Sequence, residues 1–372
     1  MKYPLSTEYQ TSVKYSDRFI LDPVLSKGVP QQNQYGLFMF SGGYTRVFPM
    51  TVGKEKYALR CWIADVHEAE YRYQCINTYI NSCKIEYFVP FEYVKKGILV
   101  NGKVFPILRM EWADGMVLKE FIQQNLNHSN LLKQAAREFL QMTKTLHENM
   151  IAHGDLQHDN IIVQQEANKV QFILIDYDSL FIPEFSNMKD HIVGLPSFQH
   201  PSRIKNAHQA KATEKLDYFS ELVIYVSIMA LAEHPELWNI FDLDTAEGLI
   251  FSQSDFEQPN QSKAFEQLDK LSRDVKIGLD ILKSYCYQSD INVFIPIEQV
   301  IHGLDDSLEK MFTRMETFSS TIPSKKQLTP NVQNQKITQL VKNIQNYSPP
   351  DKTDQKRPER GVEQLIQNIQ SI

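Results

Sequence analysis

The segment HGDLQHDN, residues 153–160, constrains this 372-residue chain more than any other part of its sequence. It places Asp155 five residues before Asn160, and a second carboxylate, Asp176, follows the apolar run FILI further along the chain. A loop that carries the first two residues and a strand that ends at the third can bring all three side chains together. Phosphoryl transfer needs such groups, because it uses one to orient the attacking hydroxyl and others as oxygen ligands for magnesium. We therefore predict the first role for Asp155 and the second for Asn160 and Asp176.

The composition indicates an ordinary globular protein and excludes several classes of function. Hydrophobic residues make up 42% and charged residues 23% of the chain, as in an average folded domain. The net charge of −6 gives no overall attraction to nucleic acid or to anionic lipid. The longest apolar run, residues 222–232, is too short to cross a bilayer and is typical of a buried core helix. Without a secretory signal or a cysteine pattern for disulfides, we expect a cytoplasmic protein that binds neither nucleic acid nor membrane.

The pattern of apolar residues changes along the chain and divides it into four parts. Residues 1–35 are polar with scattered aromatics and are predicted to form an N-terminal arm. Residues 36–112 read as short strands separated by glycine turns, with one amphipathic helix, which predicts an antiparallel sheet. Residues 113–320 are mainly helical and contain one predicted hairpin. Residues 321–372 are rich in polar residues and proline, as in a flexible tail. The fold class is therefore predicted to be α+β.

The tail contains a short internal repeat. The segments KITQLVKNIQNY (336–347) and GVEQLIQNIQSI (361–372) align without gaps, and each places its apolar residues on one stripe of a helix. Three interpretations are open: both copies pack on the rest of the chain, both bind a partner protein, or the similarity arose by chance. Two linked partner-binding copies would gain avidity from their high effective concentration.

Several motifs of the chain, taken together, resemble the protein-kinase superfamily. The segment HGDLQHDN is similar to the catalytic loop H-R-D-L-x-x-x-N, and IDYD stands where that family has D-F-G. The other blocks follow in the order of the family across residues 36–235. SGGYTRVF resembles a shortened glycine-rich loop, and PILRMEWADG resembles a gatekeeper with its hinge. GLPSFQHP resembles the end of an activation segment, and LDYFSELVIYVSIMAL resembles the central helix of the large lobe. The resemblance implies a bilobal fold, with a small antiparallel-sheet lobe and a large mainly helical lobe, as in bacterial eukaryotic-like serine/threonine kinases.

The resemblance also implies that the protein binds ATP and Mg2+. Gly42 and Gly43 would lie in the loop that covers the phosphates, where glycine lets the backbone approach closely. Met110 would be the gatekeeper. The carbonyl of Glu111 and the amide of Ala113 would bind the adenine edge, as the hinge does in this family. Asp155, Asn160 and Asp176 keep the roles already predicted for them, so that Asn160 and Asp176 are the expected metal ligands.

The chain departs from the family pattern at several functional positions. Arg60 stands in place of the lysine that binds the α- and β-phosphates; it keeps the positive charge, but its planar fork is not a point charge. Glu70 is the expected helix partner of Arg60, with Glu68 as the alternative. Gly154 replaces the arginine of H-R-D, which predicts activity that does not depend on phosphorylation of the activation loop. Asp178 replaces the glycine of D-F-G and is expected either to add a metal ligand or to immobilise the segment.

These features support three hypotheses about function. The first is an ATP-dependent serine/threonine-type protein kinase that acts on a protein substrate. The second is a catalytically weak or inactive pseudokinase, a nucleotide-binding scaffold that recruits partner proteins through the two tail repeats. The third is a small-molecule phosphotransferase, because HGD and IDYD also occur in kinases of the aminoglycoside phosphotransferase kind.

Overall fold

The computed structural model describes residues 3–66, 68–166, 169–190, 192–207, 209–299 and 301. The predicted tail, residues 321–372 with the repeats 336–347 and 361–372, lies outside the described residues, as does the end of the predicted 113–320 region. Met1–Glu298 belong to one compact unit.

The first half of this unit is built on an antiparallel sheet. Its strand order is β1-β5-β6-β8-β7, and β4 pairs with the other end of β5. The short strands β2 and β3 form a separate hairpin. Helix α3 packs against one face of the sheet and contacts β7. The strands and helices of this half are β1 (Val29–Pro30), β2 (Gln32–Asn33), β3 (Gly36–Leu37), β4 (Phe40–Ser41), β5 (Thr45–Val52), β6 (Glu55–Trp62), β7 (Phe91–Val100), β8 (Lys103–Glu111), α1 (Ser6–Lys14), α2 (Ser16–Phe19) and α3 (Ala69–Cys83).

The second half is mainly helical. A three-stranded sheet in the order β11-β10-β9 lies at its start, and the long helix α7 lies at its centre, packed against α5 and α11. Its elements are β9 (Met116–Val117), α4 (Leu118–Gln124), α5 (Ser129–Glu148), β10 (Ile161–Glu166), β11 (Lys169–Leu174), α6 (Pro201–Lys205), α7 (Tyr218–Glu233), α8 (Leu237–Ile240), α9 (Gln253–Glu257), α10 (Lys263–Leu268) and α11 (Arg273–Cys286). The two halves confirm the predicted α+β class and two-lobed fold.

The apolar run of residues 222–232 forms most of α7, and every one of its side chains is buried. A helix that is apolar on all sides is stable only when other elements surround it, as they do here. This confirms the predicted core helix. In the described part of the chain, no helix combines the length and the apolar character that a membrane crossing requires.

The N-terminal segment contributes to the core of the sheet lobe. Tyr9 and Val13 of α1 are fully buried in the same apolar cluster as Phe48 of β5. The hydroxyl of Tyr9 also donates to the backbone carbonyl of Trp62 over 2.8 Å. Helix α1 thus covers one face of the sheet, while α3 packs on the other through Tyr73, whose ring meets that of Trp62 edge to face.

A histidine joins three elements of the helical half. His147, in the last turn of α5, bonds through Nε2 to Glu221 of α7 at 2.8 Å and through Nδ1 to Glu298 at 3.0 Å. Burial alone would lower the pKa of His147, but the two carboxylates outweigh burial and raise it to about 10. Because the imidazole is charged at neutral pH, it compensates two carboxylates in a part of the core that excludes water.

This ion cluster makes the stability of the protein depend on pH. A histidine whose pKa is raised on folding contributes stability that is complete below its unfolded pKa of about 6.5 and is lost as the pH rises through its folded value. The control is the His147→Gln/Glu221→Gln variant, which removes the charges of His147 and Glu221. Relative to this variant, the unfolding free energy of the wild type should fall from pH 6.5 to 10 by at most about 1.4 kcal/mol per pH unit. Urea unfolding across this range measures the difference. A difference that does not change with pH would contradict this account.

Candidate active site

The backbone of the predicted catalytic loop is held by a buried carboxylate. Asp217, at the start of α7, accepts hydrogen bonds from the backbone amides of His153 and Gly154, the latter over 2.9 Å. Gly154 has φ +78°, and a Cβ there would lie 2.4 Å from the carbonyl oxygen of Ser179. The local backbone therefore requires glycine at the position where the family has arginine.

The structure brings Asp155 and Asn160 into direct contact. The Asn160 amide nitrogen donates to the Asp155 backbone carbonyl over 2.8 Å and to its Oδ2 over 3.1 Å. The backbone amide of Leu195 donates to Oδ1 over 3.2 Å. Burial, with a smaller contribution from the nearby carboxylate of Asp176, raises the pKa of Asp155 to about 6 against the opposing effect of His153. Asp155 is therefore a carboxylate of increased basicity that is held in a single orientation.

Asp176 is brought to the same loop by its neighbour in the chain. The backbone amide of Ile175 donates to the Asn160 carbonyl over 3.0 Å, and the Ile175 carbonyl bonds to Nε2 of His153 over 2.8 Å. Asp176 itself adopts the left-handed conformation, with φ +66°. Its side chain keeps 39% of its surface exposed, although Arg60 contacts its Oδ1. Burial would raise the pKa of Asp176, but the Arg60 guanidinium outweighs it and holds this pKa below its usual range.

The chemistry of these donors fits a magnesium ion. The amide nitrogen of Asn160 is used by Asp155, so the amide oxygen is the atom left for a cation, and Asp176 adds carboxylate oxygen. Mg2+ prefers oxygen ligands and commonly uses one or two carboxylates together with water and substrate phosphates. Among the residues that the structure describes, no group of three or more His, Cys, Asp or Glu side chains is arranged as a metal site.

Arg60 is the buried cation of the site. Its Nη2 lies 2.9 Å from Asp176 Oδ1, 3.0 Å from Asp178 Oδ2 and 3.2 Å from the Thr45 hydroxyl. Its Nη1 lies 3.4 Å from the Tyr73 hydroxyl. Only 4% of the Arg60 side chain is exposed. Burial opposes its charge, but Asp176 and Asp178 outweigh burial and raise its pKa.

Glu70 does not contact Arg60. It lies in the first turn of α3 and pairs with Lys95 of β7 at 2.9 Å, near the surface. Tyr73, one turn further along α3, and Asp178 contact Arg60 in the place predicted for this glutamate. Asp178 is buried and contacts Arg60 at 3.0 Å. For Tyr73, the sequence showed only membership of the apolar helix face.

The predicted glycine-rich loop is the tip of a hairpin. Gly42 and Gly43 connect β4 to β5, and the Gly42 amide donates to the Thr45 carbonyl over 3.0 Å. A Cβ at Gly43 would have no neighbour within 4 Å, so the tip has open space beside it. Thr45, at the end of this turn, contacts Arg60 through its hydroxyl. The loop is thus attached to the buried cation.

The predicted gatekeeper and hinge lie at the end of β8. Met110 is buried and stands opposite Ala58 of β6. The backbone amide of Glu111 donates to the carbonyl of Pro90 over 2.9 Å. Ala113 follows in the segment that connects β8 to β9, between the two halves of the fold.

Comparisons with known proteins show the family of the chain. Residues 91–355, more than half of the chain, match the model of the protein kinase domain family. The chain is similar to the EKC/KEOPS complex subunit bud32 of Dictyostelium discoideum, with 23% identity over 163 residues, or 40% of this chain and 62% of that protein. It is similar to the inhibitor of nuclear factor kappa-B kinase subunit beta of Bos taurus, with 29% identity over 119 residues, or 31% of this chain and 15% of that protein. It therefore spans less than two thirds of the length of either relative.

The chain is also similar to solved structures, among them a viral kinase. The Cydia pomonella granulovirus kinase PK-1 superposes on 75% of this chain and 94% of its own, with a TM-score of 0.47 and 14% sequence identity.

Gly194 tests how tightly the segment before α6 packs on Asp155. A Cβ at Gly194 would lie 2.1 Å from Asp155 Oδ1 and 2.8 Å from Gln199 Nε2. We expect Gly194→Ala to lower the free energy of unfolding by about 1–3 kcal/mol, because this overlap forces the carboxylate or the backbone to move. Gly43→Ala, which meets no neighbouring atom, is the control. Equal stabilities of the two variants in urea unfolding would show that this packing is not tight.

Proposed function

Because the chain belongs to the protein kinase domain family, we propose that it is a phosphotransferase that moves the γ-phosphate of ATP to a serine or threonine hydroxyl of a protein. One observation carries the proposal. A backbone hydrogen bond joins Ile175 to Asn160, and a side-chain hydrogen bond joins the Asn160 amide to the Asp155 carboxylate. Together they hold the basic carboxylate of Asp155 and the oxygen donors of Asn160 and Asp176 around one loop. This is the set of groups that phosphoryl transfer requires.

Asp155 would orient the attacking hydroxyl and accept its proton. Its pKa of about 6 leaves it mostly ionised at neutral pH while making it a better proton acceptor than an exposed aspartate. The bonds from Asn160 and Leu195 fix its orientation, so the hydroxyl would meet a preorganised acceptor.

Asn160 and Asp176 would hold Mg2+ through the amide oxygen and a carboxylate oxygen. When bound, the ion would neutralise part of the charge on the phosphates.

The remaining predicted residues would bind the nucleotide. Arg60 would contact phosphate oxygens, and Gly42 and Gly43 would cover them. On the adenine side, the carbonyl of Glu111 and the amide of Ala113 would make the edge contacts, with Met110 at the back of the cleft. The position of Thr45 between the glycine tip and Arg60 supports this arrangement, because it joins the two phosphate-binding groups.

A second candidate function is a nucleotide-binding scaffold with weak or no transferase activity. The contact that favours it is the pairing of Arg60 with both Asp176 and Asp178, because an arginine held by two carboxylates is less available to a phosphate. Such a scaffold would recruit partner proteins through the repeats 336–347 and 361–372.

Labelled ATP separates these functions. Wild-type protein with Mg2+ and γ-labelled ATP should transfer label to a protein acceptor, and Asp155→Asn should slow transfer by about 10²–10⁴-fold, because it removes the proton acceptor. Asp269→Asn, at an exposed ion pair with Lys276 of α11, is the matched control. Binding of Mg-ATP without any transfer would support the scaffold instead. Label found only on small hydroxyl compounds would identify a small-molecule phosphotransferase.

The activation segment contains its own ion pair. Arg203 of α6 forms a two-pronged pair with Asp190, at 2.7 Å and 3.1 Å, and its Nη2 also donates to the carbonyl of Ile192 over 3.2 Å. Both charged side chains are buried. A buried carboxylate that is already paired with arginine can hold this segment as an added phosphate would.

We therefore expect transfer without phosphorylation of the segment between residues 176 and 203. Protein treated with a phosphatase should retain its rate within about twofold, because Asp190 already supplies the anion that Arg203 needs. Phosphate content by mass spectrometry and initial rates before and after treatment test this. A rate that falls with the loss of phosphate from this segment would contradict the proposal.

A further inference from the structure

We propose that Asp178 is a positioning residue for Arg60, and that Asp178, Arg60 and Tyr73 together join α3 to the start of the activation segment. We call these three residues the arginine clamp. The inference rests on the proposed function in one respect, namely that Arg60 serves the phosphates. It assigns to Asp178 the anchoring role that the sequence analysis assigned to Glu70.

Both carboxylate oxygens of Asp178 are used inside the clamp. Oδ2 accepts from Arg60 over 3.0 Å, and Oδ1 accepts from the Tyr73 hydroxyl over 2.5 Å. The Asp178 side chain is 7% exposed and the Arg60 side chain 4%. Two opposite charges at this depth stabilise each other, because neither one can be solvated by water.

The clamp is reinforced by the preceding residue of α3. Arg72 donates through Nη2 to the carbonyl of Leu180 over 2.9 Å and to that of Asp178 over 3.3 Å. Its guanidinium also lies 4.5 Å from the centre of the Phe185 ring. Two successive residues of α3 therefore bind the segment that follows Asp176, so that helix and segment should move together.

The two carboxylates that contact Arg60 differ in burial and would have different roles. Asp178 is buried and fully bonded, whereas Asp176 keeps 39% of its side chain exposed and has one oxygen on Arg60. With Asp178 in place, Arg60 keeps a partner when the Asp176 carboxylate turns to a cation. Without it, Asp176 would be the carboxylate left in contact with Arg60 among the residues that the structure describes, and the guanidinium would compete with the cation for its oxygens.

A double-mutant cycle on cation binding tests this positioning role in the full chain. The probe is the Mn2+–ATP complex, and its binding to the protein is measured by the enhancement of water-proton relaxation over that of Mn2+–ATP alone. Asp178→Asn should weaken Mn2+ binding about tenfold, within the range known for residues that orient metal ligands. In the Arg60→Gln background the same substitution should change the affinity less than about twofold, because Asp178 acts through Arg60.

The outcomes of the cycle are distinct. Equal losses in both backgrounds would overturn the positioning role, since a merely structural carboxylate would matter whether or not Arg60 is present. A loss with Glu70→Gln as large as that with Asp178→Asn would also overturn it. A wild-type protein that binds no Mn2+ with ATP would overturn the proposed function itself, and with it the nucleotide role of the clamp.

Hydrogen exchange of the nucleotide-free protein tests the coupling without any ligand. Asp178→Asn should speed the exchange of amides in residues 176–182 and in α3 about tenfold, because both lose the same anchor. Tyr73→Phe, which keeps the ring and removes one hydrogen bond, should have a smaller effect in the same two segments. The control Asp269→Asn should match the wild type. Faster exchange in only one of the two segments would show that the clamp does not couple them.

Discussion

The candidate site depends on the ion pairs that the buried Arg60 forms with Asp176 and Asp178. A guanidinium that is almost excluded from water needs carboxylates at contact distance, and the nearest ones come from the segment that follows β11 in the helical half. Because Arg60 lies on β6 of the sheet half, its pairing with Asp176 and Asp178 fixes where that segment meets the sheet. These ion pairs also position the catalytic loop. Ile175, next to Asp176, forms a backbone hydrogen bond with Asn160, and the Asn160 side chain forms a hydrogen bond with Asp155.

Much of the fold could be predicted from local patterns. The alternation and turn residues of residues 36–112 predicted the antiparallel sheet, and the apolar run of residues 222–232 predicted a core helix, because burial imposes those periodicities directly. The contact between Asp155 and Asn160 follows from their spacing of five residues in one loop. Asp176 lies two residues beyond the end of β11, which brings it to the same loop.

The partner of Arg60 could not be predicted in this way. The assignment to Glu70 relied on a helix position, but the face of α3 that meets Arg60 carries Tyr73, while Glu70 lies beside Lys95 of β7. Asp178 is 118 residues away from Arg60 in the chain, so the pair depends on tertiary structure rather than on local spacing. The N-terminal segment gives a second example: Asp22 pairs with Arg109, next to Met110, and no periodic pattern in the sequence indicates this contact.

The central claim is that Asn160 and Asp176 hold a divalent cation on the phosphates of ATP while Arg60 stays anchored on Asp178. A crystal structure of the full chain with Mn2+ and a non-hydrolysable ATP analogue tests it most directly, because the anomalous signal of manganese locates the ion. The account predicts a peak bonded to the Asn160 amide oxygen and an Asp176 carboxylate oxygen, with the Arg60–Asp178 pair intact. Bound nucleotide with the manganese peak elsewhere, or with Arg60 detached from Asp178, would contradict it.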